Sequence, residues 1–185
     1  MIKAVFLDRD GTIVNEPTGP NKGDDAITSI SQLKVLPHAI DGMKKMIELG
    51  YTLFIASNQD CINRGQITMK EYDQQNKVLI TVFTENNIKI EKWLVCPHTP
   101  EENCECRKPK TEMIDSIKND YQIDFENSYY IGDRETDILL AKNLKLKSIL
   151  VKRNEEYYIN TNIVPDFKAE NLVEASKFIK SLKGN

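Results

Sequence analysis

Short apolar runs alternate along the chain with longer segments in which apolar residues recur every three or four positions. The runs predict buried β-strands, and the amphipathic segments predict α-helices. Such alternation is typical of a parallel sheet covered by helices on both faces. We therefore predict an α/β fold, a single Rossmann-like domain of three layers. The predicted strands are 4–7, 51–56, 93–95, 129–131 and 148–151, and the predicted helices are 39–49, 69–86, 111–119, 135–143 and 170–182.

Length and composition fit one globular domain over residues 1–185. Hydrophobic residues make up 40% and charged residues 29% of the chain, which is ordinary for soluble proteins. The net charge of −3, without a long block of like charges, disfavours nucleic-acid binding. No apolar stretch has the length of a membrane span, and the N-terminus does not read as a signal peptide. We therefore expect a cytoplasmic monomer without nucleic-acid or membrane partners.

Polar side chains follow the predicted strands at the points where the strands end. Asp8 follows the first strand, and the residues 57–59 follow the second. Cys96 comes after the third strand and Asp133 after the fourth. Ligands of parallel α/β sheets bind beyond the carboxyl ends of the strands. The sequence therefore predicts a polar cleft at this edge of the sheet.

Two carboxylates stand at the end of the first strand, in the segment "AVFLDRDGTIVNE". Asp8 and Asp10 are one residue apart, and buried charges are costly unless something balances them. A bound cation would balance them. An isolated aspartate pair before glycine is also a common turn, so this motif alone leaves both interpretations open.

A second cluster of candidate ligands lies in "CPHTPEENCECRKPK", residues 96–110. Cys96, His98, Cys104 and Cys106 supply three thiolates and one imidazole, a closed tetrahedral set typical of structural zinc. The alternative is three unrelated buried cysteines and a surface histidine. The compact spacing favours zinc, and we predict a zinc-stabilised loop over residues 96–106.

Four short motifs resemble those of the haloacid-dehalogenase superfamily of phosphohydrolases, in the same order and at strand ends. The similarity spans most of the chain, from about residue 2 to residue 151. The motifs are "DRDGT" at 8–12, "SNQ" at 57–59, "RKP" at 107–109 and "GDRETD" at 132–137.

The resemblance implies a catalytic role for each matching residue. Asp8 would attack phosphorus and form an aspartyl-phosphate, with Asp10 as general acid and then base. Mg²⁺ would be held by Asp8, Asp133 and the backbone carbonyl of Asp10. Ser57 would donate to a phosphoryl oxygen, and Lys108, aimed by the zinc loop, would add positive charge.

Residues outside this core have supporting roles in the same resemblance. Asp137 would support Lys108 or the metal site and would not itself bind the metal. Asn58, next to Ser57, would contact the substrate.

The zinc loop narrows the resemblance to the subgroup of histidinol-phosphate phosphatase and D-glycero-D-manno-heptose 1,7-bisphosphate phosphatase, which carry "CPH…CxCRKP". These enzymes have no large cap domain and act on small phosphorylated metabolites. The present chain agrees, because only residues 15–36 separate the first motif from the next helix. Cys61 stands where both families usually carry glycine.

The choice of substrate depends on charged residues around the cleft. Arg64, assisted by Arg107, would bind a second phosphate, so we expect heptose 1,7-bisphosphate. The alternative is histidinol phosphate. Acidic residues would then bind the cationic groups of that substrate. A rival of another class is a zinc-stabilised binding module without catalysis. Each charged residue taken singly can equally be a solvated surface group. The acidic residues that could bind the cationic groups of histidinol phosphate are Glu16, Asp24, Asp25 and Asp60.

Overall fold

A computed structural model describes residues 1–17, 26–153, 156–157 and 162–182. Asp24 and Asp25 lie outside the described residues. The strands are β1 Ala4–Leu7, β2 Thr52–Asn58, β3 Ile90–Cys96, β4 Tyr129–Gly132, β5 Lys147–Val151 and β6 Phe167–Ala169. The α-helices are α1 Ala39–Glu48, α2 Met69–Glu85, α3 Glu112–Asp115, α4 Glu135–Asn143 and α5 Leu172–Ser181.

The six strands form one parallel sheet in the order β3-β2-β1-β4-β5-β6. Phe6 in β1 lies beside Phe54 in β2 and Tyr130 in β4. The chain runs outward from β1 to β3 and then returns to place β4 on the other side of β1, so the order of strands reverses there. Such a reversal opens a crevice at the carboxyl ends of the strands. The parallel α/β sheet predicted from the sequence is confirmed.

The core has two halves, one on each face of the sheet. Val5 and Leu7 pack with residues of α1, α2 and α5. Ala4 and Phe6 point the other way and pack with residues of α3 and α4, because successive side chains of a strand face opposite sides. The three layers are as predicted, and the described residues place no cap domain over the crevice. No described helix is long and apolar enough to cross a membrane.

Three elements differ from the sequence prediction. The edge strand β3 begins at Ile90, earlier than expected. The sequence did not indicate this start because Glu91 and Lys92 are polar and only partly buried. Helix α3 ends at Asp115, and residues up to Tyr121 continue as turns with three- and four-residue hydrogen bonds. Strand β6 was not predicted. It is three residues long and lies at the sheet edge, where a short run carries little hydrophobic signal.

Candidate active site and metal clusters

Lys108 is at the centre of the crevice and is 3% exposed. Its Nζ donates to Oδ1 of Asp8 at 2.8 Å and to Oδ1 of Asp137 at 2.7 Å. It also contacts O of Ala56 at 3.1 Å and the hydroxyl of Tyr130 at 3.0 Å. Burial lowers the pKa of Lys108, but the charges of Asp137 and Asp8 outweigh this and raise it well above its usual value. The ammonium is therefore a fixed positive charge beside Asp8.

Asp133 is fully buried, and neither of its carboxylate oxygens has a hydrogen-bond partner among the described residues. Nε of Arg153 lies 3.3 Å from Oδ2 of Asp133. Burial, with the charge of Asp8, raises the pKa of Asp133 well above its usual value. Oxygens of Asp8, Asp133 and Asp137 lie within 4.8 Å of one another. Orphaned carboxylate oxygens in such a cluster fit a hard divalent cation such as Mg²⁺.

Asp137 already uses both of its oxygens within the protein. Oδ1 accepts from Lys108, and Oδ2 accepts from the backbone N–H of Arg134 at 3.0 Å. A Cβ at Gly132 would lie 2.2 Å from Oδ2 of Asp137, so only glycine leaves room here. The geometry fits the expected supporting role of Asp137, and it leaves Asp133 and Asp8 as the side chains available for a cation.

Asp10 faces the same crevice from the turn after β1. Gln59 Nε2 donates to Oδ2 of Asp10 at 2.5 Å and to Oγ of Ser57 at 2.8 Å. Nε of the fully buried Arg9 lies 3.6 Å from Oδ1 of Asp10. Burial raises the pKa of Asp10, and Arg9 and Gln59 oppose part of this shift. A carboxyl with a raised pKa suits proton donation, and the Ser57 hydroxyl keeps its own hydrogen for a ligand.

Asn58 and Glu16, both expected to bind substrate, are engaged with the protein. Asn58 Oδ1 accepts the backbone N–H of Lys108 at 3.0 Å, and its Nδ2 donates to O of Lys108 at 3.2 Å. Glu16 is nearly buried and forms ion pairs with Arg134 and Arg153. Both residues line the crevice, but their side chains position Lys108 and the two arginines.

The predicted zinc ligands form one cluster. Sγ of Cys96 lies 3.2 Å from Sγ of Cys106 and 3.5 Å from Sγ of Cys104. Nδ1 of His98 lies 3.3 Å from Sγ of Cys106. All the cysteines are free thiols, so the cluster is a complete set of tetrahedral zinc ligands. The predicted zinc-type loop is confirmed. The alternative of unrelated cysteines and a surface histidine does not describe this cluster.

The zinc loop docks on the turn that follows β2. Arg107 Nη1 donates to O of His98 at 2.9 Å, and its Nη2 lies 3.5 Å from Oδ2 of Asp60. Nε of Arg64 lies 3.2 Å from that same Asp60 oxygen, and its Nη2 lies 3.8 Å from Oε2 of Glu101. The two arginines expected to bind a second phosphate therefore already have acidic partners. They line one side of an open cavity of about 780 Å³ that also contains Asp8, Asp10, Ser57 and Lys108.

Several residues of the site were not predicted. Arg9 and Gln59 stand inside the quoted motifs, but the contacts of Arg9 with Gln75 and of Gln59 with Asp10 join residues far apart in the chain. Arg153 lies two residues after β5, so the strand-end argument applied to the fifth strand would have found it. Tyr130 is hidden in an apolar run, and no sequence signal distinguishes its hydroxyl.

Gly11 makes the turn that brings Asp10 beside Asp8, and we expect alanine there to be costly. Its φ is +79°, and a Cβ would lie 2.5 Å from Oδ2 of Asp133. Gly50 has nearly the same φ, +80°, but no atom within 4 Å of its Cβ position. Gly50→Ala should cost about 1–2 kcal/mol in unfolding free energy from backbone strain alone. Gly11→Ala should cost about 1–3 kcal/mol more.

Urea unfolding of the two variants measures this difference. Equal losses of stability in Gly11→Ala and Gly50→Ala would contradict the close approach of Gly11 to Asp133.

Comparison with known proteins agrees with this geometry. A HAD-hydrolase-like family matches residues 105–175. Curated relatives include the histidine biosynthesis bifunctional protein HisB of Buchnera aphidicola, 35% identical over 82% of this chain and 41% of the relative. HisB of Campylobacter jejuni is 30% identical over 95% of this chain and 49% of the relative. The chain thus spans less than half the length of these relatives.

Solved structures share the fold over the whole chain. The D,D-heptose 1,7-bisphosphate phosphatase of B. bronchiseptica, complexed with magnesium and phosphate, has a TM-score of 0.82 at 21% identity, covering 100% of both chains. The same enzyme of Burkholderia thailandensis has a TM-score of 0.68 at 18% identity, covering 97% of this chain and 99% of that one. The four motifs gathered at one edge of the sheet, the family match over residues 105–175 and these relatives make the chain similar to haloacid-dehalogenase-like phosphatases.

Proposed function

We propose that the chain is a magnesium-dependent phosphomonoesterase that works through a phosphorylated Asp8. The observation that carries the proposal is the buried contact of 2.8 Å between Lys108 Nζ and Oδ1 of Asp8, at the floor of an open cavity. A carboxylate is a weak nucleophile toward an anionic ester unless positive charge offsets the repulsion. Lys108 supplies one such charge within the protein.

A metal ion would supply more positive charge. Asp8, Asp133 and the backbone carbonyl of Asp10 would hold Mg²⁺, and the orphaned oxygens of Asp133 support this assignment. When bound, the ion offsets the repulsion between the carboxylate and the phosphoryl oxygens. The zinc cluster has no open ligand position in this scheme and stabilises the loop that carries Lys108.

The proposed reaction has two steps. In the first, a carboxylate oxygen of Asp8 attacks phosphorus, the ester bond breaks, and Asp10 gives its proton to the departing alcohol oxygen. In the second, Asp10 takes a proton from a water molecule, the water oxygen attacks phosphorus, and the bond to Asp8 breaks. Inorganic phosphate leaves, and Asp8 is regenerated. Ser57 donates to a phosphoryl oxygen in both steps, and Asn58 and Asp137 hold Lys108.

Hydrolysis of p-nitrophenyl phosphate, with Mg²⁺ and after treatment with a chelator, tests the activity without assuming a substrate. We expect turnover that needs added Mg²⁺. A zinc-stabilised binding module would release no phosphate under either condition.

For the natural substrate we propose histidinol phosphate first and heptose 1,7-bisphosphate second, which reverses the order expected from Arg64 alone. Arg64 and Arg107 share the carboxylate of Asp60, and Arg64 also contacts Glu101, so a second phosphate would have to displace these carboxylates. Glu135 lines the cavity and has no hydrogen-bond or ion-pair partner in the described part of the chain, so it is available to an ammonium group. The relatives named for histidine biosynthesis support this order. The likeness to heptose bisphosphate phosphatases supports the second candidate.

Arg64→Ala separates the two substrates. If Arg64 binds the distal phosphate, kcat/KM for heptose 1,7-bisphosphate should fall about tenfold to a hundredfold, because a charge-assisted hydrogen bond is lost. Histidinol phosphate has no second phosphate to contact Arg64, so kcat/KM for this substrate should change less than about threefold. The measurement is kcat/KM of the wild type and the variant on both compounds.

A wild-type protein that hydrolyses the bisphosphate faster than histidinol phosphate, together with a selective loss in Arg64→Ala, would restore heptose bisphosphate to first place. Equal losses on both compounds would remove Arg64 from substrate recognition.

A further inference from the structure

The amide of Gln59 lies between two groups that the proposed reaction uses. Its Nε2 donates to Oδ2 of Asp10 at 2.5 Å and to Oγ of Ser57 at 2.8 Å. The residue is 5% exposed, and its backbone N–H donates to O of Cys96 at 2.7 Å. A buried amide whose two N–H groups are both used is held in one orientation. Gln59 therefore fixes Asp10 and Ser57 relative to each other.

The thiol of Cys61 determines which way the Gln59 amide faces. Its Sγ donates to Oε1 of Gln59 at 3.6 Å. Reversing the amide would bring Oε1 against the carboxylate of Asp10 and turn the N–H groups toward the thiol. Burial and the charge of Asp10 raise the pKa of Cys61 to about 11, so the thiol keeps its proton and remains a donor. Cys61, which stands where the related subgroup usually has glycine, thus has a specific contact.

The two oxygens of Asp10 have different surroundings. Oδ2 accepts the N–H of Gln59, whereas Oδ1 is buried without a hydrogen-bond partner among the described residues. In a protonated carboxyl, one oxygen carries the hydrogen and the other remains an acceptor. The N–H of Gln59 at Oδ2 and the cation of Arg9 beside Oδ1 therefore fix the orientation of the carboxyl. Arg9 Nε, 3.6 Å from Oδ1, stabilises the charge that remains after the proton leaves.

We propose that Gln59 is a positioning residue that holds the carboxyl of Asp10 in the orientation needed for proton transfer, and that Cys61 orients Gln59 for this task. The inference rests on the proposed phosphatase function. As the P–O ester bond breaks, the proton of the Asp10 carboxyl passes to the ester oxygen, and the alcohol departs. As water later attacks phospho-Asp8, the Asp10 carboxylate takes a proton from the water, and the bond between phosphorus and Asp8 breaks.

Two aryl phosphates of similar shape test the proposal. p-Nitrophenolate departs readily without a proton, whereas phenolate is a poorer leaving group and gains more from general-acid catalysis. The ratio kcat/KM reports all steps up to departure of the phenol. We expect Gln59→Met to lower kcat/KM for phenyl phosphate about tenfold to a hundredfold, since a hydrogen bond to a charged group is lost. The loss for p-nitrophenyl phosphate should be at least about fivefold smaller.

Two controls accompany this variant. Gln74 is exposed on α2, so Gln74→Met makes the same chemical change away from the crevice and should alter neither ester. Cys61→Ala removes the thiol donor and should shift the ratio between the esters in the same direction as Gln59→Met. Cys61→Ser restores a donor at that position and should reverse the shift.

Equal losses on the two esters in Gln59→Met, with an unchanged melting temperature, would overturn the proposal and leave Gln59 a structural residue. If Gln59→Met does not fold, the Cys61→Ala and Cys61→Ser pair decides, and an identical ester ratio in both would likewise overturn it. Failure of the underlying function is distinguishable, because the wild-type protein would then hydrolyse neither ester.

Discussion

Replacing Asp8 with asparagine should lower phosphate-ester hydrolysis by about 10⁴-fold or more while leaving the fold intact. An amide does not form the acyl-phosphate, and it is a poor ligand for Mg²⁺. Asp8 also contacts Lys108, but Lys108 keeps its second carboxylate, Asp137, at 2.7 Å. The buried ammonium therefore retains a counter-charge, and the variant should fold. Steady-state hydrolysis of p-nitrophenyl phosphate measures the loss.

Asp73→Asn is a matched control. Asp73 is exposed on α2, so the same chemical change there should leave turnover at the wild-type level. Circular dichroism spectra and melting temperatures establish whether both variants are folded. A loss of only about tenfold is what replacement of a supporting residue would cause. If a folded Asp8→Asn protein keeps activity within about tenfold of the wild type, Asp8 is therefore not the nucleophile.

Removing the zinc site should lower stability and activity together. Cys104→Ser takes one of the four side chains from the cluster, which is the main fixed point in the loop between β3 and Lys108. Loss of a structural metal site costs several kcal/mol, so we expect the melting temperature to fall by about 10 °C. Activity should fall about tenfold or more, because the loop aims the ammonium that Asp8 and the phosphate require.

Glu105→Ser is the control for this change, since Glu105 is an exposed residue of the same loop. It should change the melting temperature by less than about 2 °C. Metal analysis of wild-type protein purified without added zinc should find about one zinc per chain. A metal-free wild-type protein with full activity, or a Cys104→Ser protein as stable as Glu105→Ser, would contradict the positioning role of the loop.

The sequence predicts the centre of this site because the necessary information is local. Asp8 and Asp133 each follow an apolar run directly, and parallel strands bring their carboxyl ends to one edge. Cys96 and Cys106 are close in sequence, so their spacing alone restricts the cluster to a few geometries. Strand position and motif spacing are therefore enough to find both clusters.

The surroundings of the site could not be predicted in the same way, because they depend on partners distant in sequence. Glu16 reads as a free carboxylate in a polar loop, but its partner Arg153 is 137 residues away. Arg9 is fully buried beside Gln75, 66 residues away on α2. Such pairs form only when the helices and strands pack. The substrate order changed partly for the same reason, since Arg64 contacts Glu101 of the zinc loop and shares Asp60 with the distant Arg107.

Trapping the phosphorylated protein tests the central claim most directly. Asp10→Asn removes the base that the second step needs, while p-nitrophenolate departs without help from an acid. We expect this variant, mixed with p-nitrophenyl phosphate and Mg²⁺ and quenched in acid, to carry one phosphoryl group on Asp8 by mass spectrometry. The adduct should be missing when Asp8→Asn is added to the same protein. A phosphoryl group on another residue, or no adduct in a variant that still releases p-nitrophenol, would contradict the account.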